Sequence, residues 1–265
     1  NSMKNLFGIM QGRLLPKYLG NYQSHPVDYW KDEFYLASSF GFDCIEFILD
    51  FDEVNKNPLM SESGLENILR HSKKHNILIK SVCADYFMVS PIFIKEITIK
   101  RQNFKTLKKL IRNSKIIGVK DIIIPLVDTS SVLNNNSNKN AAKHFLQEII
   151  DDFDNLDINI CLETDLPPKE FHDYVISINR PQIRINYDTG NSASLGYNFY
   201  DEFESYGNLI TNIHIKDRKF GQGSIQIGLG DCDFKNFFQY LSIKKFNGIF
   251  IMQAYRDDDG PSSLK

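Results

Sequence analysis

The chain has 265 residues, 42% hydrophobic and 24% charged, with a formal net charge of −2. That is ample apolar material for the core of one large α/β domain or two small ones, and the charge gives no bulk attraction to nucleic acid or an anionic membrane. No apolar run reaches membrane-spanning length and no secretory leader opens the chain, while Asn1-Ser2 before Met3 reads as a cloning remnant.

The elements follow as short apolar runs alternating with longer amphipathic ones. Leu6 to Met10 is a first strand, ending at Gln11-Gly12-Arg13. A helix is predicted from Pro26 to Phe40, with Trp30, Phe34 and Ala37 at helical spacing and Gly41 as its stop. Cys44 to Ile48 is a second strand, Leu65, Ile68 and Leu69 mark a helix, and Ile77 to Cys83 is a third strand ending near Asp85. Leu107, Leu110 and Ile111 stripe the next helix, and Asp121 to Val127 is the fourth strand. A polar loop from Asn134 to Asn140 precedes a helix carrying Phe145, Leu146, Ile149 and Ile150. The fifth strand, Ile158 to Glu163, is followed by a helix opened by Pro167-Pro168. Ile183 to Asp188 alternates apolar and polar residues as a sixth strand, and Thr189-Gly190-Asn191 reads as a turn breaking it. A short helix near Asp201 to Tyr206, a strand ending at His214, a helix with Phe234, Phe237, Phe238 and Leu241, and an eighth strand, Gly248 to Gln253, complete the series.

Eight strands alternating with helices, without a linker or composition break, predict an α/β fold: a single (β/α)8 TIM barrel spanning residues 1–265. Only twelve residues follow Gln253, and Asp257-Asp258-Asp259-Gly260-Pro261 is a turn, so the eighth helix is expected to be missing or vestigial. The uncovered wall should then expose apolar side chains, Phe234, Phe237 and Trp30 among them, which points to a homo-oligomer. Cys44, Cys83, Cys161 and Cys232 are far apart and form no CxxC pair. They predict neither a disulfide framework nor a zinc knuckle, and suit a reducing cytoplasm.

Three strand ends carry chemistry. Glu163, Asp188 and His214 end successive strands, and hard oxygen donors with an imidazole suit one divalent metal ion, Mn, Mg, Co or Zn. Taken singly, a strand-end carboxylate is more often a helix cap and a lone histidine more often a satisfied core residue. Three on neighbouring strands favour the metal. With Asp188 pointing into the barrel, Asn186 and Arg184 point inward too, and Asn159, Cys161 and Asn212 lie beneath Glu163 and His214. Such a polar layer is expected to hold the ligands in place. Arg13, Arg218, Arg256 and Lys216 lie at strand ends and could grip a phosphate, although each alone reads equally as surface charge. Gly221-Gln222-Gly223 and Gly228-Leu229-Gly230 could form a mobile cover.

The motifs Gly8-Ile9-Met10-Gln11-Gly12-Arg13, Ile45-Glu46, Leu162-Glu163-Thr164, Asp188-Thr189-Gly190-Asn191 and His214-Ile215-Lys216-Asp217 resemble those of the sugar phosphate isomerase/epimerase superfamily. These are xylose-isomerase-like TIM barrels, nearest in pattern to hexulose-6-phosphate isomerases and pentulose-5-phosphate 3-epimerases. The resemblance implies a metal-dependent isomerase or epimerase working by proton transfer through an enediolate, with a small sugar or sugar phosphate as partner. It implies Glu163, Asp188, His214 and the residue at the end of strand eight as ligands, Glu163 as base, and Gln11, Arg13, Glu46, Asp85, Asn191, Lys216, Asp217, Arg218 and Arg256 around the substrate. One position departs from the family: Gln253 stands where a glutamate is expected. Its carbonyl can coordinate but cannot accept a proton, which favours one-base isomerisation over two-base epimerisation unless Asp85, Glu46 or Lys216 supplies a second donor. Two other readings remain: a catalytically impaired sugar-binding barrel, and an endonuclease IV-like repair enzyme, which would need more strand-end histidines and a basic face.

Overall fold

Short runs of Ile, Val, Phe and Cys bounded by turn residues become the strands of a closed parallel barrel. The computed structural model describes residues 4–255. The strands are β1 (Leu6–Met10), β2 (Cys44–Ile48), β3 (Ser81–Cys83), β4 (Asp121–Leu126), β5 (Asn159–Thr164), β6 (Ile183–Asp188), β7 (Ile210–Ile215) and β8 (Ile249–Met252). Each pairs with its sequence neighbours, and β8 returns to β1 with Leu6 opposite Ile249. Seven connections each carry an outer helix: α1 (Glu33–Ser39), α2 (Glu62–His75), α3 (Ile97–Ile116), α4 (Asn136–Asp151), α5 (Pro168–Ile178), α6 (Phe199–Tyr206) and α7 (Phe234–Ile243). Residues 256–265, where an eighth helix was expected to be missing, lie outside the described residues.

Alternation along the strands divides the interior. Ile45, Phe47, Ile122, Ile124, Ile185 and Tyr187 face the helices and join the large outer core. Met10, Cys44, Ile48, Cys83, Ile123, Cys161 and Ile251 form a separate small cluster inside the barrel. All four cysteines are free thiols. Polar groups share the inner space and are bonded to one another. Asp121 Oδ1 accepts from Asn159 Nδ2 at 2.9 Å and from Thr211 Oγ1 at 3.2 Å. A register shift between Ile185 and Asn186 sets Asn186 opposite Asn212, skipping Thr211. This bulge turns Thr211 inward beside Asn212.

Several expectations need correction. Helix α1 starts at Glu33, because a 3-10 turn at Trp30–Asp32 takes up the entry. Strand β3 has three residues, since Leu78 makes only an isolated bridge to Cys44. Helix α4 begins inside the Asn-rich loop, where the Asn135 side chain accepts the Asn138 N–H and caps it. Thr189-Gly190-Asn191 is the first turn of a helix, Thr189–Leu195, capped by Asp188. Trp30 and Phe237 are buried and Phe234 is partly buried against the core; Phe7 and Phe238, which both pack on Phe250 of β8, are exposed at the β1–β8 seam, and Ile243 at the end of α7 is exposed as well.

Candidate metal centre

Strands β5, β6 and β7 end side by side, and their last inward residues meet. Glu163, Asp188 and His214 each offer a donor atom, and the three atoms lie within 4.8 Å of one another. Thr189 keeps the ends together: its hydroxyl donates to Lys216 O at 2.6 Å and accepts the Lys216 N–H at 3.0 Å. Gly190 lies close against the β7 end, where a Cβ would stand 3.0 Å from Lys216 Cγ and 3.2 Å from Lys216 C.

The imidazole is fixed from below. His214 Nε2 lies 2.6 Å from Glu46 Oε1, and the pair is almost wholly buried. Ser81 donates to Glu46 Oε2 at 2.6 Å and Asn212 Nδ2 at 3.3 Å. With Nε2 committed to Glu46, Nδ1 is the atom that faces Glu163, 3.9 Å from Oε2. Burial opposes a charge on His214, but the Glu46 carboxylate outweighs it, helped by Glu163 and Asp188, and the pKa is pushed up to about 9.

The carboxylates are held as closely. Asn191 Nδ2 donates to Glu163 Oε1 at 2.7 Å and Asn186 Nδ2 to Oε2 at 3.0 Å. Burial, then the negative charge of Asp188, raises Glu163 to about 7. Asp188 Oδ1 accepts the Asn191 N–H at 2.8 Å. Its Oδ2 makes no hydrogen bond of good geometry but faces the Lys216 ammonium at 3.2 Å. The ammonium supplies positive charge to the cluster. Gln253, 6% exposed, donates its amide to Gln23 Oε1 while its own Oε1 is buried without a partner. Two carboxylates and an imidazole nitrogen form a donor set that fits a divalent ion, and Gln253, just past the end of the neighbouring strand β8, carries the orphaned amide oxygen.

The other candidate residues divide into those at the cluster and those beneath or beside it. Arg218 is at the mouth, donating to Asn191 Oδ1 at 2.9 Å and to Gln222 O at 2.7 Å. Asp85 borders the cluster and accepts from Gln23 Nε2 at 2.7 Å, and burial raises its pKa. Four residues expected around the substrate are buried and bonded to protein partners. Glu46 sits below His214. Gln11 Oε1 accepts the Ile48 N–H at 2.9 Å and meets His25 Nδ1 at 2.8 Å. Arg13, 1% exposed, lies under Tyr22 with its guanidinium 4.2 Å from the ring centroid, and bonds Tyr22 O and Gln23 Oε1. Asp217, wholly buried, accepts the N–H groups of Gly228, Gly230 and Cys232. The glycine loops expected as a mobile cover are thereby fastened, with Gly221–Gly223 turning a small hairpin between Asp217–Arg218 and Ser224–Ile225. Arg256 lies outside the described residues. Gln23, which links Arg13, Asp85 and Gln253 over the barrel mouth, was missed; it stands in a long first loop without periodicity, and nothing in the sequence marks it.

Comparison with known proteins agrees with this architecture. L-ribulose-5-phosphate 3-epimerase UlaE of Escherichia coli is 20% identical over 235 residues, covering 86% of this chain and 83% of its own. The crystal structure of 3-keto-D-glucoside 4-epimerase YcjR from E. coli superposes with a TM-score of 0.72 at 15% identity, covering 98% of both chains. That of the IOLI protein with a bound zinc atom gives 0.74 at 16% identity, over 97% of this chain and 91% of that one. At these identities the structural matches establish the fold, whereas the model of the xylose isomerase-like TIM barrel family matches residues 34–264 of the sequence itself. The chain belongs to the xylose isomerase-like TIM barrel family.

Proposed function

We propose that this protein is a divalent-metal-dependent isomerase or epimerase that moves a proton on a sugar or sugar phosphate through an enediolate, with Glu163 as the base. The observation that carries this reading is the convergence of Glu163, Asp188 and His214 donors within 4.8 Å, with the far nitrogen of His214 fastened to Glu46. Its similarity to UlaE and YcjR, both named as epimerases, and to the zinc-bound IOLI protein supports the same reading. A bound divalent ion would polarise the sugar carbonyl and stabilise the oxyanion beside it. Glu163, raised toward neutrality by burial and Asp188, is suited to take a C–H proton and return it. Asn186 and Asn191 fix the direction in which its oxygens present themselves. Lys216 supplies positive charge beside Asp188 and the developing oxyanion.

Gln253 cannot hold a proton, so transfer on one face of the sugar rests on Glu163 alone. Epimerisation needs a group on the opposite face, and Asp85 is the carboxyl nearest to that task. We expect a small homo-oligomer acting in the cytoplasm; among the described residues no helix is long and apolar enough to cross a membrane. The test is solvent-deuterium incorporation into ketoses by metal-loaded protein. Glu163→Gln should slow it by ~10²–10⁴-fold with the circular dichroism unchanged. Sugar and metal binding without any exchange would favour the second reading, a binding protein that lost catalysis at Gln253. Failure to bind any divalent ion would refute the proposal.

A further inference from the structure

The first loop is fastened to the end of β8 at three places. The Tyr22 hydroxyl donates to Ala254 O at 2.6 Å, the Tyr22 and Tyr255 rings stack with centroids 5.7 Å apart, and Gln253 gives its side-chain amide to Gln23. Gln23 also accepts from Arg13 at 2.9 Å and donates to Asp85 at 2.7 Å.

Which end of each amide points where follows from Arg13. A guanidinium only donates, so the Gln23 atom that it meets is the oxygen. The same oxygen faces Gln253, so Gln253 must present its nitrogen there. The Gln23 nitrogen is then left for the Asp85 carboxylate, the acceptor that it does face. In this one arrangement every contact runs from donor to acceptor. Turning the Gln23 amide over would set N–H against N–H at Arg13 and oxygen against oxygen at Asp85.

The consequence falls on residue 253. With its nitrogen held by the loop, Gln253 has only its oxygen to offer elsewhere, and that oxygen is buried with no hydrogen-bond partner among the described residues. Strand alternation puts Gln253 on the inward side with Ile251, a member of the inner cluster that lies opposite His214. The Gln253 backbone N–H donates to Ile215 O at 2.9 Å, so the side chain leaves the backbone level with the end of β7. A buried amide oxygen is costly unless something donates to it or is coordinated by it. A carboxylate at this position would fit the loop less well, because it would set oxygen against oxygen at Gln23.

We propose that Gln23, backed by Arg13, is a positioning residue: it selects an amide at position 253 and fixes which way it points, so that Gln253 offers the metal centre a neutral oxygen. The glutamine is then matched by its surroundings and is not merely a lost glutamate. This rests on the metal-centred reading above and adds how its fourth donor is held.

A double-mutant cycle between positions 23 and 253 tests it. Gln23→Met keeps the length of the side chain and removes its hydrogen bonds, while Tyr22 still ties the loop to Ala254. Affinity for Mn2+, read by competition against a chelating fluorophore, should fall about threefold to tenfold in Gln23→Met, the worth of one neutral hydrogen bond. In the Gln253→Glu background the same substitution relieves the oxygen–oxygen conflict and should cause no loss. Gln23→Glu keeps an acceptor for Arg13 and Gln253 but not the donor to Asp85, and should not weaken binding. Equal losses in both backgrounds, no loss in Gln23→Met, or a loss in Gln23→Glu matching that in Gln23→Met would overturn the inference. A loop that Gln23 merely braces would give the equal losses. Melting of the metal-free protein checks the fixed amide separately. Gln253→Glu should cost about 2–4 °C more with Gln23 in place than in the Gln23→Met background, and equal costs would overturn the inference as well. The two readings fail apart. A protein that binds the ion and exchanges a ketose proton without this coupling keeps the proposed function and loses the positioning role. One that binds no ion yet shows the coupling in melting loses the function and keeps the fixed amide.

Discussion

Replacing Glu46 with glutamine tests whether the centre depends on a residue that would touch neither metal nor sugar. In the wild type, Glu46 receives His214 Nε2 at 2.6 Å, the Ser81 hydroxyl at 2.6 Å and Asn212 Nδ2 at 3.3 Å, in a region closed to water. A glutamine can meet these donors in two orientations. With its oxygen toward His214 the ring keeps its Nε2–H tautomer, but the new amide faces Asn212 Nδ2, donor against donor. With its amide toward His214 the ring must carry its proton on Nδ1, the atom proposed as ligand. The first orientation weakens the ligand and the second blocks it, so divalent-ion affinity should fall ~10–100-fold, the usual effect of removing such a partner. That corresponds to roughly 1.4–2.7 kcal/mol. Competition against a chelating fluorophore, with the fold checked by circular dichroism, gives the number. An affinity within about twofold of the wild type in a folded variant would refute the claim that Glu46 sets the tautomer of His214.

Three further outcomes are expected. Gln253→Glu places a carboxylate where an amide oxygen now lies buried without a partner, and should tighten metal binding on the order of tenfold; unchanged affinity would remove Gln253 from the donor set. Asp50 is raised by burial from 3.8 to about 7, so the wild type loses stability as pH climbs through that interval, where the unfolded chain ionises more readily. The melting-temperature advantage of Asp50→Asn over the wild type should therefore be near zero at the acid end and grow to a plateau above pH 7, and a constant or shrinking difference would contradict the assignment. If Phe7, Phe238 and Ile243 mark a contact between copies, sedimentation velocity should show an oligomer that Ile243→Glu dissociates, and a monomer at high concentration would end that idea.

Much of the candidate site is legible in the sequence because strand alternation is a local rule. The run Ile183–Asp188 fixes which side chains enter the barrel, and Asn186 does stand beneath the cluster, bonded to Glu163 as a polar inner layer requires. Glu163 and His214 follow by the same parity on adjoining strands. What stayed hidden depends on contacts across the barrel. Nothing near Glu46 in the sequence indicates that it meets His214, and Arg13 has the charge of a phosphate grip although Tyr22 covers it. Asp217 lies within a recognisable motif, yet its work is to gather amides from a loop whose path no periodicity reveals. The Thr189–Leu195 helix was mistaken for a turn because Asp188, Gly190 and Asn191 are turn formers, and the same residues cap a helix equally well.

The bond between His214 and Glu46 spans 168 positions of the chain. An unclosed barrel therefore cannot orient the imidazole, however well β5 to β7 have formed. Contacts of such separation come late, after the entropy of the long loop between them has been spent. If the proposed ion binds, its uptake reports on the finished barrel, and the ion would select closed molecules from any population still searching for closure. During synthesis or refolding, the appearance of metal affinity should thus lag behind the appearance of helix.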